Sequence, residues 1–135
     1  MNLERINPGA LGRPSGFSHA VSVSVTASRM VFLAGQVAMG PDGTIVPGGI
    51  VAQFERALAN VLTALTAAGG QPADLVSLTI YLTDVEDYQA HGREIGAVWR
   101  RLAGTEYPAM AGVGVTRLWF PEAQVEIQGI AAVSR

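Results

Sequence analysis

Between Ile50 and Thr83 the hydrophobic pattern changes period once, and that change limits what the chain can fold into. Ile50, Phe54, Leu58, Val61, Leu62 and Leu65 recur three or four residues apart, with Gln53, Arg56, Asn60 and Thr63 on other faces. This is the signature of an amphipathic helix over 50–68, and Gly69-Gly70 stops it. Val76, Leu78, Ile80 and Leu82 then alternate with Ser77, Thr79, Tyr81 and Thr83, as in a strand with one apolar face. A helix with one apolar stripe and a strand with one apolar face bury both by packing on each other.

The flanking segments extend the same scheme. Leu3–Asn7 reads as a short edge strand, and the Gly- and Pro-dense residues 8–16 as an ordered loop. Ser18–Val25 alternates, with Val21, Val23 and Val25 on one face. Met30–Ala34 is apolar at both parities, as in a strand covered on both sides or buried in an interface. The turn-rich GPDGTIVPGG is expected to close a first hairpin-like unit. Asp84 is placed to cap a second helix, in which Tyr88, His91, Ile95, Val98, Trp99 and Leu102 recur at helical spacing up to Gly104. Two strands follow, Met110–Thr116 and Gln124–Val133, joined by RLWFPEA with its proline turn.

The resulting order is strand, strand, helix, strand, helix, strand, strand. A chain of 135 residues with 49% hydrophobic composition supports one domain, 1–135, with a real core. Two helices cannot cover both faces of such a sheet, so they are expected side by side on one face. Val31 or Leu33 and the small-residue strand AGVGV are candidates for the uncovered face. Burial against further copies of the same sheet is the economical cover, which predicts a homo-oligomer.

Composition removes several functions. With no cysteine there is no disulfide, thiolate metal site or cysteine nucleophile. All nine basic residues are arginines, so Schiff-base chemistry on a lysine is excluded. A net charge of −2 gives no basic field for nucleic acid, and no segment reaches the roughly 20 apolar residues of a membrane helix. The expected compartment is the cytoplasm. Glycine-rich PGALGRPSG and GVGV lack the strand-to-helix placement of phosphate loops.

Several strings spread along the chain carry a resemblance: Gly16-Phe17-Ser18-His19-Ala20-Val21, Val31-Phe32-Leu33-Ala34-Gly35-Gln36, Gln53–Leu65, Ala73-Asp74-Leu75-Val76, Thr83-Asp84-Val85-Glu86-Asp87-Tyr88, Tyr107-Pro108-Ala109, Val115-Thr116-Arg117-Leu118 and Val125-Glu126-Ile127. Together they resemble the RidA/YjgF family, formerly the L-PSP endoribonuclease family, over nearly the whole chain. The resemblance implies an α+β, chorismate-mutase-like fold of the bacillus type, a mixed sheet with two helices on one face, assembled as a homotrimer with a small-molecule cleft between neighbouring subunits. It implies no metal and no organic cofactor. Active members hydrolyse reactive enamines and imines such as 2-aminoacrylate to a 2-keto acid and ammonia.

That chemistry needs a guanidinium to hold the substrate carboxylate and a group to move protons and water. In the family an arginine follows Pro-Ala; here the residue is Met110, which has neither the charge nor the five donors. Gly112 stands where active members commonly carry cysteine, Gly92 where many carry asparagine, Ala34 where serine is common, and Phe17 where tyrosine is usual. The backbone position Gly35 and the carboxylate Glu126 still match. Glu126 is read either as the water-orienting acid/base or as an ion-pair partner of a neighbouring subunit's arginine.

Arg13, in the loop before Phe17, is one candidate replacement cation; Arg117 is expected in a structural salt bridge, its strand parity being opposite to that of Met110. His19 follows the segment expected at the cleft mouth, whereas His91 is expected as a packed or interface histidine. Met110, Phe17 and Trp119 are expected to make the cleft apolar. Three readings stay open: a trimer without efficient 2-aminoacrylate deamination, a deaminase with a rearranged site, and a non-catalytic ligand-binding or regulatory trimer.

Overall fold

The period change at residues 50–83 becomes a helix lying on a strand. The structure, a computed structural model, describes residues 3–26 and 28–134. Its elements are β1 (Leu3–Ile6), β2 (Ala20–Val23), β3 (Ser28–Gln36), α1 (Ile50–Ala67), β4 (Leu75–Leu82), α2 (Val85–Ala90), α3 (Gly92–Ala103), β5 (Ala109–Gly114) and β6 (Val125–Ser134), with 3-10 turns at Gly9–Leu11 and Pro72–Asp74. The main sheet has the order β3-β6-β4-β5. Its β4–β5 pair is parallel, and β6 runs antiparallel to both its neighbours. The fold is the expected α+β arrangement of helices on a mixed sheet.

The core sits between sheet and helices. Phe54, Leu58, Val61 and Leu65 of α1 meet Leu78, Ile80 and Leu82 of β4, Val125 and Ile127 of β6, and Ile95, Val98 and Trp99 of α3. Fully burying one such side chain contributes about 1.5–3 kcal/mol. Leu75, rather than Val76, begins the inward row, because the β4–β6 register slips between Leu75 and Ser77.

The expected second helix is two. Its N-terminus is as read, with the Asp84 carboxylate accepting from Asp87 N at 3.0 Å. At His91 the backbone leaves helical geometry (φ −108°, ψ 21°), and Gly92, a poor helix former, starts α3. Three helices, not two, therefore cover the sheet.

Pairing at the N-terminal end also differs from expectation. β2 pairs with β1, and β3 pairs with β6. GPDGTIVPGG thus does not close a hairpin of the first two long strands. It makes a small loop of its own, with Gly40 N donating to Thr44 O and Val46 N to Ala38 O, tied to α1 by Asn60 Nδ2 donating to the Val37 and Met39 carbonyls. β2 stops at Val23, and Val25 lies exposed beyond it.

Parity within β3 reverses the expected cover of the open face. Val31 pairs with Ala131 and Leu33 with Gly129, and both pack into the core; Met30 and Phe32 face the side without helices. A run apolar at both parities carries no sign of which set turns inward, and the β6 partner decides it.

Candidate functional site

The β1–β2 ribbon is strapped to the start of β5. Arg5 donates from Nε to Tyr107 O and from a terminal nitrogen to Ala73 O, and pairs with Glu106 at 2.7 Å. Ser18 N donates to Pro108 O, and Ser18 Oγ to Tyr107 O. These bonds hold the loop before β2 over the gap between β5 and α3. The result is a cavity of about 290 Å³ lined by twelve residues, among them Ser15, Gly16, Phe54, Tyr88, Trp99, Tyr107 and Met110.

Met110 lies opposite Leu78 in the β4–β5 register, so its side chain faces the helices and packs against the core. Gly112 is two residues on, on the same face, and a Cβ there would meet nothing within 4 Å. Trp99 stacks on Tyr107 with centroids 6.0 Å apart, and Phe54 meets Tyr88 edge-on, also at 6.0 Å. Burial pushes the Tyr88 phenol up to about 12, so it stays protonated at neutral pH. The floor is therefore largely aromatic, and the rim at Ser15, Gly16 and Gly92 is exposed.

Glu126 is elsewhere. It pairs with Tyr81, which pairs in turn with Val113, and this row lies on the face of the sheet away from the helices. The β3–β6 register shifts between Leu33 and Gln36, and the bulge brings Gly35 directly against the Glu126 carboxylate. No ion pair to Glu126 occurs among the described residues. One protomer thus separates the expected site into two groups, Met110 with Gly112 on the helix side and Gly35 with Glu126 on the open side. Gln53, expected on an outer face of α1, is buried and holds the approach to β6: its amide donates to Glu122 O at 3.1 Å and accepts from Gln124 N at 2.8 Å.

The remaining candidates fall at the periphery. Phe17 packs edge-on against His19 at 5.1 Å, and His19 Nε2 lies 3.1 Å from Gly12 O. Arg13 is exposed; its loop contributes Ser15 and Gly16 to the cavity instead. Arg117 does not form the expected salt bridge among the described residues; its guanidinium holds the Leu118 and Trp119 carbonyls of its own loop. Trp119 is 83% exposed, so the indole beside Met110 is that of Trp99. The helical spacing of Trp99 had marked it only as a core residue. His91 is partly exposed at the α2–α3 break, where Nδ1 lies 2.9 Å from Asp87 O and 3.2 Å from the Asp87 carboxylate. Among the described residues no three His, Asp or Glu side chains cluster as metal ligands.

Comparisons with known proteins agree with this architecture. Residues 10–133 match the family model described as endoribonuclease L-PSP. A goat protein named 2-iminobutanoate/2-iminopropanoate deaminase is 34% identical over 112 residues, covering 82% of this chain and 77% of that protein. Protein DfrA of Myxococcus xanthus is 36% identical, covering 84% and 83%. Among solved structures, a Yersinia pestis protein of unknown function from the conserved Rid family superposes with a TM-score of 0.86 at 36% identity, covering 98% of this chain and all of that one. RidA from an Antarctic Psychrobacter superposes at 0.66 with 30% identity, covering 94% of each. With its sequence pattern, its sheet order and these relatives in agreement, the chain belongs to the RidA/YjgF family.

Proposed function

We propose that this chain forms a cytoplasmic homotrimer whose intersubunit clefts bind or process a small metabolite, without efficient deamination of 2-aminoacrylate or 2-iminopropionate. Family membership supports a role of the imine-deaminase or small-metabolite-binding kind. The observation that carries the finer reading is Met110. It occupies the position where a carboxylate-binding arginine would stand, and its thioether packs against an aromatic floor. Separation of Met110 and Gly112 from Gly35 and Glu126 supports a cleft completed by a neighbour: the open face of one copy must meet the β5 edge of another before the two groups can act on one ligand.

Freshly generated 2-iminopropionate, incubated with the purified protein, is expected to release keto acid at close to the uncatalysed rate. Turnover comparable to that of an arginine-bearing relative overturns the proposal. Met110→Arg restores the bidentate donor and is expected to raise turnover about tenfold or more, from about 1.5–3 kcal/mol per charged hydrogen bond. Absence of any gain would place the divergence in the rest of the cleft. Glu126, which has no ion-pair partner among the described residues, favours one second reading, a deaminase with a rearranged site acting on a different imine. Glu126→Gln would then abolish turnover of that imine while leaving its binding intact.

A further inference from the structure

The missing cation has a candidate that strand parity could not reveal. Gly92, Gly96 and Arg100 are spaced four residues apart on α3, so they share one helical face, and all three line the cavity beside Met110. A Cβ on Gly96 would lie 3.3 Å from a terminal nitrogen of Arg100. The guanidinium therefore folds back one turn over Gly96, away from the helix C-terminus whose carbonyls would otherwise attract it. Its neighbour Arg101 is committed to Glu55 at 2.8 Å. Arg100 has no carboxylate partner and no hydrogen-bond acceptor among the described residues.

The cavity beneath joins an aromatic floor to a polar mouth at Ser15, Gly16 and Arg100. Gly92 leaves open space where a side chain would project, and the floor is Phe54, Tyr88, Trp99 and Met110. A volume of about 150 Å³ is enough for a benzene ring, and this cavity, open at its mouth, is about 290 Å³.

We propose that Arg100 is the carboxylate-binding group of this chain, and that the cavity takes a monocarboxylate bearing an aromatic or similarly bulky apolar group. This rests on reading the cleft as a small-metabolite site and narrows its ligand. The cation stands on α3, facing Met110 of β5 across the aromatic floor.

Three probes separate charge from shape: phenylacetate, its neutral analogue phenylacetamide, and acetate. Titration calorimetry is expected to show phenylacetate binding at least tenfold tighter than either of the others. Arg100→Gln, at an exposed position that leaves the core intact, should weaken phenylacetate about ten- to a hundredfold and leave phenylacetamide unchanged. In a Trp119→Phe background the emission of Trp99 should shift with phenylacetate, which locates the ligand. Equal binding of phenylacetate and phenylacetamide, no binding of either at millimolar concentration, an unchanged affinity in Arg100→Gln, or an unperturbed Trp99 would each overturn the proposal. Turnover of 2-iminopropionate would overturn the preceding reading alone, since it leaves the phenylacetate discrimination untouched.

Discussion

The two faces of the main sheet are built to different degrees of completion. On the helix side, Phe54, Leu58, Leu78 and Ile127 lose essentially all contact with water. On the other side Phe32 keeps 75% of its surface exposed, Met30 and Val113 are also in contact with solvent, and Glu126, Gln128, Thr79 and Tyr81 form polar rows between them. One face is finished by its own chain, and the other combines apolar surface with chemistry-bearing side chains. A mixed face of this kind suits contact with another protein surface better than permanent exposure. The only carboxylate on the sheet lies on that unfinished side.

The contrast can be broken or sharpened by substitution, in order of expected effect on the folded chain. Phe54→Ala removes the side chain that joins the core to the cavity floor and is expected to cost about 3–5 kcal/mol in chemical denaturation. A loss below 1 kcal/mol would mean that the helix side is not the finished one. Next come two glycines of β6 and β3 that behave differently. A Cβ on Gly129 would come within 2.5 Å of the Ser77 backbone carbonyl and strike Leu78, so Gly129→Ala should cost about 1–3 kcal/mol. At Gly35 the obstruction is the end of the Glu126 side chain, which can swing away. Gly35→Ala is therefore expected to keep most of the stability while displacing the carboxylate, readable as a changed Glu126 signal in NMR.

Phe32→Glu should change the stability of the folded subunit by less than about 0.5 kcal/mol, as a surface substitution does. On the trimer proposal it should reduce the mass seen by light scattering to that of one chain; an unchanged assembly would remove the open face from the interface. The smallest effect is at His91. The Asp87 backbone carbonyl, helped by the Asp87 and Glu94 carboxylates, raises its pKa above the usual histidine value. The associated stabilisation is present below the unfolded value near 6.5 and is lost as pH rises through the higher folded value. His91→Gln should flatten that slope in a pH series of thermal midpoints.

Elements were legible where the information is local. The α1 stripe, the β4 alternation, the Asp84 cap and the ends at Gly69 and Gly104 all follow from the near neighbours of each residue. The break at His91 was less visible, because the apolar stripe continues through it from Tyr88 to Ile95. The site was legible only in part. Met110, Gly112, Gly35 and Glu126 could be picked out as positions, but their division between two faces depends on which strands pair.

By itself, then, the sequence determined the family, most of the order of elements and the presence of a methionine at position 110 of β5, because periodicity and residue identity are properties of the chain taken alone. Tertiary structure decided which side of Met30–Ala34 turns inward, which indole lies beside Met110, and that Arg100 reaches the cavity where Arg13 and Arg117 do not. Those outcomes depend on partners far apart in the chain: β6 sets the face of β3, and the rotation of α3 over β5 sets where Arg100 lies.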